Sequence, residues 1–284
     1  MGVKIVSDST CDLSEGLLER YQISILPLHI VLGQQEFDDG KGITPDEIYR
    51  WSDENKTTPT TSAPAITDAM NMINECTSDG SEMVFFTVSE QMSTTANVMR
   101  MAADELEKED RVFVIDSGNL STGVGLLVIE AAIMAQNGKT AGEIVEEIEK
   151  IKPYVRASFV VDTLTYLYRG GRCSGLAALA GGALKLHPKI IVENGAMRPD
   201  KKYRGKISHV ILKYANELEP QLKTAKHDRV FITHSGCEEE VVREVYDYLD
   251  GLKIFDEILV TRAGGVISSH CGPGTLGVLF IQNS

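Results

Sequence analysis

The sequence predicts an α/β protein of two α/β domains: an N-terminal domain with a mostly parallel sheet and a C-terminal domain with a mixed or antiparallel sheet. The first observation is size and composition, since 284 residues with 43% hydrophobic and 24% charged side chains suffice for a large core and two domains. The second is that short β-branched runs alternate with helix-like segments. The third is that the alternation restarts after Pro153. We therefore expect domains at residues 1–154 and 155–284. The sequence does not decide whether a segment of one range packs into the other domain.

The first predicted domain contains four strand candidates and helices with recognisable ends. Thr44 and Thr140 each stand three residues before a glutamate and predict capping boxes, in which the hydroxyl and the glutamate satisfy each other's backbone N–H groups. Asn137-Gly138 predicts the end of a helix that begins near Ser121. The strand candidates are Val3–Val6, Ile25–Val31, Met83–Val88 and Val112–Ile115.

The second predicted domain continues the pattern with five strand candidates and two helices, near Ile207–Leu222 and Glu238–Leu249. Between Arg172 and Gly181 the sequence predicts a helix rich in alanine and leucine, which could pack closely or line a cavity. The strand candidates are Ala157–Val161, Ile190–Glu193, Val230–Thr233, Ile258–Val260 and Gly277–Gln282.

Charge and cysteine content narrow the class of function. A formal net charge of −13 argues against broad affinity for nucleic acid or for anionic membranes. The five cysteines are scattered and never form a C-x-x-C pair, which predicts neither a disulfide framework nor a zinc site. The first residues run into a strand without a signal-peptide pattern, and the most apolar run, residues 123–135, is too short for a bilayer and contains Glu130. We expect a cytoplasmic protein without integral membrane association.

Two clusters of hydroxyl groups are candidates for binding an anion. Thr60-Thr61-Ser62 precedes a predicted helix start at Ala63-Pro64, and Ser93-Thr94-Thr95 opens the helix after the third strand. Helix starts offer free N–H groups, and ligands of α/β sheets lie beyond the carboxyl ends of the strands. The alternative interpretation is that Ser62 and Ser93 are ordinary N-caps.

Two further stretches carry titratable groups. Asp8 and Asp12 follow the first strand and could act as acids or bases, although carboxylates at such turns more often cap the next helix. His270 precedes Cys271-Gly272-Pro273-Gly274, where the backbone must turn sharply, and its imidazole could donate to a carboxylate or serve only the structure.

A basic run between Arg198 and Lys206 opposes the acidic balance of the chain. A solvated surface is the simple interpretation, and a docking patch that also includes Arg169 and Arg172 is the alternative.

Signatures of common enzymes are missing, including G-x-S-x-G, Walker A and H-E-x-x-H.

Read in order, several of these stretches resemble the DegV family of fatty-acid-binding proteins, whose best-understood members are the FakB subunits of fatty acid kinase. The resemblance spans nearly the whole chain. It rests on Ser7 to Asp12, Thr61-Ser62-Ala63-Pro64, Ser93 to Thr95, Val114 to Ser117, Thr163 to Arg172, and His270 to Gly277.

The resemblance implies a carrier of one long-chain fatty acid and not an enzyme. Thr61, Ser62, Ser93, Thr94 and His270 would surround the carboxylate, and the acyl chain would lie between and within the two domains. The carrier would bring no cofactor. Thr94 stands where the family commonly has glycine, which bears on how closely that backbone approaches the ligand.

The resemblance also implies a partner. Arg172 and Arg204 match arginines that the family uses toward the fatty acid kinase catalytic subunit. That subunit would supply ATP and phosphorylate the carboxyl group, giving an acyl phosphate for phospholipid synthesis.

Two rival functions remain open on the sequence. One is an enzyme in its own right, a phosphotransferase or hydrolase that uses Asp8, Asp12, Ser93 or His270. The other is a regulator that contacts DNA through the basic run, which the net charge of −13 and the lack of a helix-turn-helix pattern disfavour.

Overall fold

The computed structural model describes residues 2–173 and 186–283. These residues contain two 3₁₀-helices, Ser9–Cys11 and Lys152–Tyr154, besides the strands and α-helices. The strands are β1 Val3–Asp8, β2 Ile23–Leu26, β3 His29–Leu32, β4 Gln35–Asp38, β5 Thr60–Ser62, β6 Glu82–Thr87, β7 Val112–Asp116, β8 Val155–Val160, β9 Leu186–Glu193, β10 Ala196–Arg204, β11 Ala225–Ser235, β12 Glu257–Arg262 and β13 Thr275–Gln282. The helices are α1 Glu15–Tyr21, α2 Pro45–Asn55, α3 Ile66–Thr77, α4 Thr95–Glu105, α5 Thr122–Gln136, α6 Ala141–Ile151, α7 Thr165–Gly170, α8 Ile207–Glu217, α9 Glu219–Leu222, α10 Glu239–Leu252 and α11 Gly265–Cys271. The predicted helix between Arg172 and Gly181 lies almost entirely outside the described residues.

Two large sheets confirm the predicted fold class. The N-terminal sheet has the order β2-β1-β6-β7 and is parallel throughout. The C-terminal sheet has the order β10-β9-β8-β13-β11-β12, with β11 and β12 parallel and the other neighbours antiparallel, so it is mixed. The predicted boundary after residue 154 falls directly before β8; the boundary itself stays a prediction.

Helix α5 lies between the two large sheets. It contacts β1 and β6 of the first sheet and β8 and β13 of the second. Its residues from Thr122 to Ile129 are all buried, and Phe86 of one sheet and Leu279 of the other belong to the same core cluster. Because α5 is covered on both sides, it has no polar face, which explains its apolar sequence. Among the described residues, no helix is both long and apolar enough to cross a bilayer.

The two predicted capping boxes are confirmed. The Thr44 hydroxyl accepts the Glu47 N–H at 3.3 Å, and Glu47 accepts the Thr44 N–H at 2.8 Å. Thr140 and Glu143 form the same pair at the start of α6. Gly138, with φ +81°, follows the end of α5 as predicted.

Two predicted elements are corrected, and a third stretch gains a secondary structure that was not predicted. The single strand expected at Ile25–Val31 is two strands, β2 and β3, which belong to different sheets; Pro27 stands between them and cannot donate to a ladder. Thr60–Ser62 is not a helix start but the strand β5, which pairs with β3 in a small antiparallel sheet of order β4-β3-β5. The basic run from Arg198 to Arg204 is the outer strand β10.

Segments from the two halves of the chain interlock. Helix α11, late in the sequence, packs against α2, β3 and β5 of the first half. Its Val266 joins a core cluster with Leu28, Ile30 and Ile48. This packing brings α11 to the edge of the parallel sheet at which its strands end.

Candidate functional site

A cavity of about 400 Å³ lies at the meeting point of β5, the loop that follows β6, and α11. All five predicted ligand-binding residues line it, and so does Arg172. The sequence therefore identified residues that the fold brings together from positions more than 200 apart. The lining residues are Thr10, Leu28, Thr61, Ser62, Ala63, Val88, Glu90, Gln91, Met92, Ser93, Thr94, Leu120, Arg172, Met197, Val266, Ile267, His270 and Cys271.

Thr61 and His270 form a hydrogen bond across the halves of the molecule, with 2.8 Å between Thr61 Oγ1 and His270 Nε2. Thr61 is on β5, whose register opposite Ile30 of β3 fixes its position. His270 is in the last turn of α11, and the predicted sharp turn follows it at Gly272 and Gly274, with φ +74° and +73°. The strand and the helix together place one hydroxyl against one imidazole.

His270 is half-buried, and its imidazole is neutral. Burial, with a smaller contribution from the charge of Arg172, lowers its pKa to about 4. Its Nδ1 atom is buried and has no hydrogen-bond partner among the described residues. Gly170 packs directly against the ring, since a Cβ built there would lie 2.4 Å from Nδ1. The imidazole is thus fixed in place by Gly170 on one side and Thr61 on the other.

Ser93 and Thr94 lie just before α4. The Ser93 hydroxyl accepts the Thr95 N–H at 3.3 Å and lies 2.8 Å from Thr95 Oγ1. Thr94 is exposed and occupies the N-cap position without a side-chain capping bond. The N-cap interpretation of Ser93 is therefore partly right, since its hydroxyl satisfies a helix-start N–H while it also faces the cavity.

Ser62 does not cap a helix, contrary to that interpretation. It lies on β5 opposite His29, whereas α3 begins at Ile66 with Ala65 at its N-cap position. Pairing with β3 extends the backbone of residues 60–62, which no local signal in the sequence reveals. The predicted pair of hydroxylated helix starts is in fact one strand and one helix start.

The rest of the cavity is largely apolar. Leucine, valine and isoleucine side chains of Leu28, Val88, Leu120, Val266 and Ile267 form its walls. A second void of about 20 Å³ continues from Leu120, Ile267 and Cys271 toward Phe159 and Leu279. No pattern in the sequence distinguishes these wall residues, because they follow the strand and helix periodicity of an ordinary core.

The two arginines predicted to meet a partner differ in position. Arg172 is exposed at the cavity, where its guanidinium donates to the Gly170 carbonyl at 2.8 Å and to the Met92 carbonyl at 3.5 Å. Arg204 is exposed at the end of β10 and does not line the cavity.

The aspartates considered as acids or bases do not line the cavity. Asp8 caps the turn after β1 by accepting the Thr10 N–H at 3.1 Å, and its other oxygen accepts the Val88 N–H at 2.8 Å. Burial raises the pKa of Asp8 to about 6 and that of Asp12 to about 8. Among the described residues, no cluster of three or more His, Cys, Asp or Glu side chains could hold a metal ion.

A larger cavity, of about 700 Å³, lies on the other side of the loop of residues 89–92. Strands β8 and β9 pair only over Ser158–Val160, so they separate beyond this point and leave a gap. Its charged groups are engaged: Lys189 pairs with Asp200 at 3.0 Å, and Arg156 Nε donates to Gln282 at 2.8 Å. Gln91 lines both cavities, and its amide donates to the Asn194 carbonyl at 2.7 Å.

Comparison with known proteins assigns a family across nearly the full length. A family model described as "uncharacterised protein, DegV family" matches residues 2–283. A DegV domain-containing protein of Caldanaerobacter subterraneus subsp. tengcongensis is 30% identical over 280 residues, which are 98% of each chain.

Solved structures show the same fold. A DegV family protein from Thermus thermophilus, described for its fatty acid binding, superposes with a TM-score of 0.91 at 29% identity and full coverage of both chains. DegV from Bacillus subtilis, described as a fatty acid binding protein, gives 0.85 at 26% identity, again with full coverage. A protein from Eubacterium ventriosum, described as binding stearic acid, gives 0.85 at 27% identity over 99% of this chain and 98% of that one.

Proposed function

Because the chain belongs to the DegV family, we propose that it binds one long-chain fatty acid in the 400 Å³ cavity and presents the carboxylate to a kinase partner. The observation that carries the proposal is the convergence of hydroxyl and imidazole groups with apolar walls in one cavity. Related proteins of the same fold are described as fatty acid binding, which supports the choice of ligand.

The head group is held by hydroxyl protons that point into the cavity. A buried N–H without an acceptor is rarer than a buried lone pair without a donor, so we place the proton of His270 on Nε2 and leave Nδ1 unprotonated. Nε2–H then donates to Thr61 Oγ1, and the Thr61 hydroxyl proton is free for a carboxylate oxygen.

Ser93 supports the same arrangement from the other side. Its oxygen accepts the Thr95 N–H and can accept the Thr95 hydroxyl, which leaves its own proton for the ligand. Ser62 and Thr94 line the same end of the cavity and complete the set of neutral donors.

The apolar walls supply most of the affinity. At about 0.8 kcal/mol per buried methylene, a tail of about fourteen methylenes contributes on the order of 11 kcal/mol before the costs of binding. The hydroxyl groups then set the orientation of the carboxylate. Neutral donors also leave its oxygen more nucleophilic than a buried arginine pair would.

The partner performs the chemistry. A carboxylate oxygen attacks the γ-phosphorus of ATP, the bond to the β-phosphate oxygen breaks, and the products are an acyl phosphate and ADP. Arg172, at the cavity, and Arg204, on β10, form the docking contacts for the kinase subunit. The acyl phosphate then enters phospholipid synthesis, in a cytoplasmic reaction to which this chain contributes no catalytic group.

Denaturing mass spectrometry of lipid extracted from the recombinant protein tests this proposal. A stoichiometric fatty acid supports it. An empty protein that also fails to take up added long-chain fatty acid contradicts it, and ATP turnover by the purified chain alone would favour the rival phosphotransferase.

A further inference from the structure

Two buried aspartates of the first half of the chain hold the start of α11. The Gly264 N–H donates to Asp12 Oδ1 at 2.8 Å, and the Gly265 N–H donates to Asp39 Oδ1 at 2.7 Å. Both N–H groups belong to the start of a helix, where no helical carbonyl can accept them. The aspartates therefore satisfy donors that lie 252 and 226 positions away in the sequence.

Each carboxyl group is oriented by a serine. The Ser121 hydroxyl donates to Asp12 Oδ2 at 2.5 Å, and the Ser9 hydroxyl donates to Asp39 Oδ2 at 2.8 Å. Asp12 is 6% exposed and Asp39 is 5% exposed, and neither forms an ion pair within the described part of the chain. Burial raises the pKa of both groups. Two carboxyl groups are thus kept out of water to accept helix-start N–H groups.

The contact leaves α11 little room to move at this end. A Cβ built at Gly265 would lie 2.4 Å from Ile30 Cδ1 and 3.0 Å from Asp39 Oδ1. Helix α11 has seven residues, so it spans about 10 Å at 1.5 Å per residue. A shift of its first turn is passed directly to His270 in its last turn.

We propose that Asp12 and Asp39 are positioning residues for the head-group site: they fix the start of α11 against the first half of the chain, so that His270 meets Thr61. As a statement about ligand binding, this rests on the proposed function. Asp8, the third buried aspartate, holds Val88 in the loop that leads to Ser93, so it acts on the other side of the cavity.

The test compares single alanine variants in the ligand-free protein by nitrogen NMR of the His270 ring. Asp12→Ala and Asp39→Ala should shift the Nε2 signal toward that of an imidazole without a hydrogen bond. As α11 loosens, the pKa of His270 should rise from about 4 toward its ordinary value. Asp12→Asn and Asp39→Asn should restore the wild-type signals, because an amide oxygen still accepts the N–H.

The control is Asp46→Ala. Asp46 on α2 pairs with Arg262 across the same two halves, but both side chains are exposed, and Asp46 accepts no N–H group of α11. This variant should leave the His270 signals unchanged. Unchanged signals in the folded Asp12→Ala and Asp39→Ala proteins would overturn the proposal.

Gly265→Ala addresses the same point from the helix side if an aspartate variant does not fold. Its added methyl group displaces α11 from Ile30 while both carboxyl groups remain, so the His270 signals should shift again; an unchanged ring would overturn the proposal. Titration with a long-chain fatty acid should show about tenfold weaker binding for the two aspartate-to-alanine variants. If the wild type binds none, the proposed function fails, while a shifted His270 signal still supports the positioning role.

Discussion

Two cavities flank the loop of residues 89–92, and they hold their polar groups in opposite ways. The larger one, of about 700 Å³, is lined by lysine, arginine and carboxylate side chains that pair with one another or with nearby amide and carbonyl oxygens. The smaller one, of about 400 Å³, has apolar walls and a group of hydroxyls beside a neutral imidazole. The smaller cavity, and not the larger one, therefore combines free hydroxyl donors with apolar walls, which is the lining that the proposed binding of a fatty acid requires.

The same charge placed in each cavity should have the largest effect on the difference between them. Ile267 and Ile191 are both half-buried, the first in the small cavity and the second in the large one. Ile267→Glu should weaken fatty acid binding at least about 100-fold, because it places a carboxylate among the apolar walls and repels the carboxylate of the ligand. Ile191→Glu should change it less than about twofold, since Ile191 lines the large cavity and not the one proposed to bind the fatty acid. Calorimetric titration of delipidated protein measures both, and equal losses would contradict the assignment.

The neutrality of the small cavity can be tested through pH. His270 has a pKa of about 4 in the folded chain and about 6.5 when unfolded, so the unfolded state binds the extra proton as pH falls from about 6.5 to 4. His270 therefore lowers the free energy of unfolding over this window, on the order of 3 kcal/mol in total. Relative to His270→Asn, the wild type should lose this amount between pH 7 and pH 4 in urea unfolding. The control is His209→Asn, at an exposed position on α8, which should follow the wild type. Identical slopes for His270→Asn and wild type would contradict a neutral imidazole at position 270.

The position of the imidazole is a further property that only the small cavity has. Gly170→Ala places a methyl group 2.4 Å from His270 Nδ1 and should break the contact with Thr61. We expect fatty acid binding to weaken about tenfold, which corresponds to one lost hydrogen bond to a charged group.

Its matched control is Gly142→Ala, in the first turn of α6, where an added Cβ meets nothing within 4 Å. That variant should bind as the wild type does. Full binding by Gly170→Ala would show that the ring position is not needed.

The smallest expected effect compares one hydroxyl in each cavity. Ser93→Ala removes a donor from the small cavity and should weaken binding about fivefold, with a similar slowing of phosphorylation by the kinase subunit. Ser117→Ala removes a hydroxyl that lines the large cavity and donates to the Asn119 carbonyl. It should leave both quantities unchanged, and if Ser93→Ala does so too, the neutral-donor model is wrong.

The sequence was informative where the signal is local. The capping boxes at Thr44 and Thr140, the glycine after α5 and the alternation of strands and helices depend on neighbouring residues, and all of them are confirmed. The resemblance to the DegV family identified the residues that line one cavity, although their role toward a ligand stays a prediction.

Features set by distant partners were not predictable from the sequence. Thr60–Ser62 became a strand only because β3 lies beside it, and the basic run became β10 because β9 pairs with it. Within β10, Tyr203 turns inward while Lys201 pairs with Glu217 at 2.8 Å. No local pattern around Asp39 predicts its role, because the role depends on the N–H group of Gly265, 226 positions later.

The place of β13 in the second sheet has a consequence for biosynthesis. This strand is the last of the described strands, yet it lies inside the sheet, between β8 and β11. While a ribosome is still extending the chain, the parallel sheet of the first half can form, because all its strands precede residue 117. Helix α11 and β13 emerge later than every other described element, so the cavity lined by His270 cannot form until they have left the ribosome. Under the proposed function, a nascent chain therefore cannot bind a fatty acid until this helix and strand have been made.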